Sequence, residues 1–265
     1  RAMPQLKALD ITSAAFTETD LAGITAMPNL EHVVLPHCAF SDAAIGRLAS
    51  LEHLRYLGVN CSDSSPLTDK ALLAVSRMRE LEELYIGGTG FTNEGITPLQ
   101  HLDHLRALHL AFWRGLDNDT LKLLSQFRAL RELSWSSSDR VTMSGLSALN
   151  DLVGLSNLSA DGVRQDHKGL DLSQLKNLTS LRITLRHQTR KVGDGFVTTS
   201  DVFHDSDLAC LTGLTDLETL SLYGRGIGDE GMAHLAPLTR VKYLDIVGSA
   251  ELTDEGLKAL ADMHR

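Results

Sequence analysis

The sequence predicts an α/β solenoid, a right-handed horseshoe of about ten repeats with a parallel sheet on its concave face and helices on its convex face. Three observations point there. The pattern L-x-x-L-x-L, or a close variant, begins at Leu6, Leu30, Leu54, Leu81, Leu105, Leu130, Leu155, Leu178, Leu217 and Val241. After each start a two-residue apolar alternation gives way to apolar residues spaced three apart. Two late stretches, LETLSLYGRGIGDEGMAHLAPL and VKYLDIVGSAELTDEGLKALADM, are one pattern written twice. Successive starts lie 24, 24, 27, 24, 25, 25, 23, 39 and 24 residues apart. All but one of these spacings fall within about 20–29 residues, the period of a strand-plus-helix unit that buries its apolar face against its neighbours.

The strands come from the alternation. In LKALDIT, Leu9 and Ile11 point one way while Ala8, Asp10 and Thr12 point the other. The helices come from stripes three apart: Leu21, Ile24 and Met27; Ile45, Leu48 and Leu51; Leu72, Val75 and Met78; Leu257, Leu260 and Met263. A strand followed by a helix, repeated in one direction, gives parallel strands with helices along one side. Between the two, Phe16, Phe40, Leu67, Phe91, Ile227 and Leu252 form a further apolar ladder. Helix starts read LTDKAL, FTNEGI, IGDEGM and LTDEGL, with Thr or Gly at the N-cap and an acid in the first turn. Asp69, Glu94, Asp229, Glu230, Asp254 and Glu255 recur at this one position, which favours capping and dipole compensation over paired carboxylates for acid–base chemistry.

Ten repeats covering essentially the whole chain make a single domain over residues 1–265. Hydrophobic residues make up 43% and aromatics only 5%, so aliphatic side chains must fill the core. The net charge of -9 disfavours nucleic acid and anionic membranes as partners of the whole surface. No apolar run reaches the roughly 18 residues of a membrane span. Cys38, Cys61 and Cys210 are too few and too scattered for a disulfide scaffold.

The combination of L-x-x-L-x-L with a following (T/G)-D-x-(G/A)-(L/M) resembles the leucine-rich-repeat family, in particular its cysteine-containing, ribonuclease-inhibitor-like branch. That resemblance covers nearly the whole chain and implies protein–protein recognition. Cys38 stands at the branch's cysteine position, where other repeats have Ala14, Ser62, Thr89, Trp113 and Ser249.

Nothing in the sequence carries a catalytic or cofactor motif: there is no H-E-x-x-H, no Cys-x-x-Cys and no P-loop. GRGIG (Gly224 to Gly228) lies where a strand turns into a helix and reads as a tight turn. His204, Asp205 and Ser206 are triad residue types, but neighbours in sequence rarely adopt triad geometry. The expectation is a protein without catalysis, cofactor or metal.

Two features single out a binding surface. The repeat at Leu155 reads VRQDHKGL in place of the Thr-Asp start. The next carries an inserted loop at about 186–204, RHQTRKVGDGFVTTSDVFH, without a clear period. From Arg164 to Lys191 there are seven basic residues against two acids, a cationic island suited to an acidic partner. Outward strand positions form columns: Asp10, Val34, Gly58, Tyr85, His109, Ser134, Ser159, Arg182, Ser221 and Asp245 are central, with His32, Tyr56 and Tyr243 beside them. Trp113 is expected on the rim and Trp135 in the core. Candidate partner-binding residues are therefore His32, Tyr56, Tyr85, His109 and Trp113, together with Arg182, Arg186, Arg190 and Lys191. The favoured function is a protein-binding module using the concave face or the basic insert. The alternative is a regulatory or substrate-recognition region of a larger enzyme of kinase or ubiquitin-ligase type.

Overall fold

Alternating leucines make the strands. In the first of two compact units, Arg1–Ser137, six strands follow one another in chain order: β1 (Ala8–Asp10), β2 (His32–Cys38), β3 (Tyr56–Cys61), β4 (Glu83–Gly87), β5 (Ala107–Ala111) and β6 (Glu132–Trp135). All pairings are parallel, and the register aligns Leu9, Val33, Leu57, Leu84, Leu108 and Leu133. From Val33 onward every member of that row is buried, each worth roughly 1.5–3 kcal/mol against exposure. The computed structural model describes residues 3–11, 18–38, 40–61, 67–136, 138–192, 195–249 and 251–261. Thr12, Ala14, Phe16, Ser62 and Met263 lie outside them.

The helical elements are α1 (Leu21–Thr25), α2 (Asp42–Leu48), α3 (Asp69–Val75) and α4 (Asn118–Leu124), with a 3-10 segment at Asn93–His101. Their stripes are buried as the spacing requires, including Leu21, Ile24, Ile45, Leu48, Leu72 and Val75. The tighter winding at Asn93–His101 accompanies Pro98 inside it, which supplies no backbone N–H.

The second unit, Ser138–Arg265, has four parallel strands in the order β7 (Asn157–Val163), β8 (Ser180–Leu185), β11 (Thr219–Tyr223) and β12 (Tyr243–Val247). The insert is more ordered than the expected loop. It is an antiparallel hairpin, β9 (His187–Val192) and β10 (Gly195–Ser200), that forms its own two-stranded sheet while β8 pairs directly with β11. Outer elements are 3-10 segments at Ser144–Asp151 and Asp205–Gly213, then α5 (Asp229–Leu235) and α6 (Asp254–Ala261). Residues 164–179 hold no helix. There the Gln165 side-chain oxygen captures the backbone N–H groups of Asp166 and His167, at 2.8 and 2.9 Å, which competes with helix formation.

Three of the first-turn acids, Asp42, Asp69 and Asp229, reach across repeats. Asp42 accepts from the N–H and hydroxyl of Thr68 at 2.9 and 2.6 Å. Asp69 does the same for Thr92 at 2.8 and 2.6 Å, and Asp229 for Thr253 at 2.9 and 2.6 Å. Each acid therefore satisfies donors at the start of the next repeat's helix. The glycine of the T-N-E-G phrase follows from this. A β-carbon on Gly95 would lie 2.1 Å from Asp69 Oδ1.

Candidate functional site

Strand alternation sets four rings on the outward face of the first unit. His32 stacks on Tyr56 with centroids 4.1 Å apart and planes 21° from parallel. Tyr85 and His109 form a second, tilted pair at 6.2 Å. Tyr85 is 37% exposed. The Tyr56 hydroxyl is held above its usual pKa by burial first and by the charges of Glu83 and Asp10 next. His109 is fixed at both nitrogens: Nδ1 lies 2.7 Å from Ser134 Oγ, and Nε2 lies 3.4 Å from Glu83 Oε1. With the proton on Nε2, His109 turns a donor toward the Glu83 carboxylate and accepts from the Ser134 hydroxyl. Hydroxyl, imidazole and carboxylate are triad residue types. Here they lie across three neighbouring strands of an open sheet face and hold one ring in place.

Trp113 is not a rim residue. It is 1% exposed and packs edge-on against Phe91 at 5.4 Å. Its neighbour Phe112 takes a left-handed backbone, φ 55, which turns the chain after β5 so that Trp113 enters the core and Phe112 is left 46% exposed. Nothing in the local sequence period marks Phe112 as outward. Trp135 is buried, as its leucine-equivalent position requires.

In the second unit Arg182 stands outward on β8 with its guanidinium 4.6 Å above the Tyr223 ring. The Tyr223 hydroxyl donates to Asp245, and that bond raises its pKa. Arg186 stands at the root of the insert and is paired within the chain. Its Nε meets Asp201 Oδ2 at 3.2 Å, and both side chains are largely covered. The pair closes the base of the hairpin, where the Asp201 N–H also donates to the Arg186 carbonyl at 2.9 Å. Arg190 and Lys191 lie on β9 opposite Val197 and Phe196, and their side chains lie outside the described part of the structure.

The remaining candidates resolve into packing. In GRGIG, Gly226 has φ +92, and a β-carbon there would lie 2.3 Å from the Phe203 carbonyl oxygen, so a turn accounts for it. His204 offers Nδ1 to Gln165 at 3.0 Å, and the same Gln165 amide reaches the buried Asp207 at 3.0 Å. Cys38 and Cys61 are backbone partners across β2 and β3, through a register shift between Pro36 and Cys38; their side chains are outside the described part. Burial pushes the Cys210 thiol up to about 11. Among the described residues no three His, Cys, Asp or Glu groups come together as metal ligands. No helix there is long and apolar enough to cross a membrane.

Residues 239–261 match the family profile described as Leucine Rich repeat. No curated protein sequence matches the chain. Among solved structures, internalin C2 of Listeria monocytogenes aligns at 18% identity and a TM-score of 0.53, over 84% of this chain and 80% of that one. The functional domain of InlJ from the same organism, described as including a cysteine ladder, aligns at 19% identity and 0.53, over 94% of this chain and 50% of that one. With its in-register leucine rows, outer helical turns and a terminal repeat that matches the family profile, this chain has the fold of a leucine-rich-repeat protein.

Proposed function

We propose that this chain is a non-enzymatic protein-interaction module that binds a protein partner through side chains on the outward faces of its strands. The observation that carries this reading is the row of rings at His32, Tyr56, Tyr85 and His109, on four adjacent strands whose other face is solid core. A rigid backing lets such rings bind with little ordering cost, and aromatic anchors often contribute more than about 2 kcal/mol each. Two of the first-turn carboxylates, Asp69 and Asp229, are engaged in holding repeat to repeat. In the second unit Arg182, with Arg190 and Lys191 of β9, suits an acidic segment of the partner. An exposed cation such as Arg182 mainly steers encounter.

The test is surface-plasmon kinetics against a protein recovered by affinity selection on the intact chain. Tyr85→Ala should speed dissociation about thirtyfold, the equivalent of about 2 kcal/mol. Arg182→Glu should chiefly slow association at low salt. Binding that survives both changes, yet is lost on substituting exposed residues of the outer helices, would reject the strand faces as the recognition surface.

A further inference from the structure

The strand face of the first unit has a definite charge. Its twelve lateral and central outward positions on β1 to β6 carry Asp10, Glu83 and Glu132 and neither Lys nor Arg. Cations just before the strands are mostly engaged. Lys7 pairs with Glu31 and Arg55 with Glu82, both at 2.7 Å, and Arg131 turns onto the carbonyls of Ala129 and Leu130. Arg106 is a further cation at that margin, and all four of these cations are exposed.

Shape and charge coincide on β4 to β6. In the lateral column Glu83 and Glu132 flank Ala107, a short, covered side chain that places no charge between the two carboxylates. In the central column Tyr85, exposed, lies between Gly58 and His109. His109 Nε2 lies 3.4 Å from Glu83 Oε1, and the Glu83 side chain keeps 40% of its surface exposed. Each group suits a long basic side chain: an aromatic face for its apolar stem and cationic head, and carboxylates for the charge.

We infer that the strand face of the first unit takes a cationic segment of a protein partner, with Lys or Arg side chains laid over Tyr85 and reaching Glu83 and Glu132. The inference rests on the protein-binding reading above and names the chemistry of what binds there. Glu83 and Glu132 sit two strands apart, about 9.6 Å at about 4.8 Å per strand. A polyproline II segment running across the strands advances about 3.1 Å per residue and returns to the same face every third residue, so basic residues three apart in the partner meet the two carboxylates together. Anionic partners, nucleic acid among them, find no countercharge among these positions.

The experiment uses the intact chain and two probes. Random dodecapeptides displayed on phage are selected on it. A fluorescein-labelled dodecapeptide with Lys at every third position is titrated by anisotropy at low and high salt, beside a counterpart with Glu in place of Lys. Selection should enrich Lys and Arg three apart, and the Lys peptide alone should bind, more weakly at high salt. Glu83→Gln with Glu132→Gln should weaken it by about tenfold and flatten its salt dependence, as should Tyr85→Ala for affinity, while Lys122→Gln on α4 changes nothing. Glu132→Gln alone, away from the His109 bond, keeps the result interpretable if Glu83→Gln disturbs that ring. Enrichment of acidic or uncharged peptides that still depend on Tyr85 overturns the cationic assignment and leaves the protein-binding reading standing. Peptides indifferent to all of these changes overturn the face itself, and retention of no peptide counts against both.

Discussion

Asp69 occupies two roles with one carboxylate. It satisfies both donors of Thr92 in the next repeat, and its Oδ1 fills the space that a side chain on Gly95 would need. Alanine ordinarily stabilises a helical glycine position by about 0.5–1 kcal/mol. Here Gly95→Ala should instead cost about 1–3 kcal/mol, because the new methyl group meets the carboxylate. Asp69→Ala should also destabilise, by about 1–3 kcal/mol, through the donors it orphans. The informative variant is the double one. With the carboxylate gone the methyl group has room, so the pair should cost less than the sum by about 0.5–3 kcal/mol. Urea midpoints at unchanged slope would measure this; strict additivity would show that the two residues do not interact.

The hairpin β9–β10 is an appendage whose root is structural. Its strands pair only with each other among the described residues, whereas Arg186 and Asp201 at its base share an ion pair and a backbone hydrogen bond. Just beyond it, Val202 bridges to Arg225 and Phe203 is buried at 1% exposure. Replacing residues 187–200 by a two-residue link should therefore change stability by less than about 1 kcal/mol, since β8 and β11 pair without them. Phe203→Ala, a single change three residues past the hairpin, should cost about 3–5 kcal/mol. Thermal melts of the two variants give the comparison. A deletion as costly as the phenylalanine change would mean that the hairpin packs against the repeats.

Across the molecule, several carboxylates are held below the usual Asp value of 3.8. Hydrogen bonds from the Thr253 hydroxyl and N–H do this for Asp229, and from Ser173 for Asp171. At Asp166 burial works against the charge and is outweighed by bonds from Ser144 and Thr142. A depressed pKa in the folded state means that the stabilisation is fully present above the unfolded value and is lost as pH falls through the folded one. Stability contributed by these acids should hold from neutrality to about pH 5 and decline below about pH 4. Urea midpoints across that range test it. If the triple variant Asp166→Asn, Asp171→Asn, Asp229→Asn shows the same acid sensitivity as the parent, these residues are not its source.

The leucine register, the parallel strands and the buried face of each helix were legible in the residue order, because periods of two and three are local and repetition left one way to bury them. Trp135 was placed in the core on that basis and lies there. The hairpin had a signal that its lack of long period hid: Gly193 and Asp194 stand between the β-formers of TRKV and those of FVTT, the composition of a two-residue hairpin turn. Other features had no local signal. Trp113 went inward because Phe91 of the preceding repeat offered an aromatic edge and Phe112 could take a left-handed backbone. Arg186 lost its freedom to Asp201, fifteen residues on, and the first-turn acids Asp42 and Asp69 found their partners a full repeat away. Periodicity records which face of an element is buried. Which polar group meets which depends on contacts between residues far apart in the chain, and those exist only once the repeats are stacked.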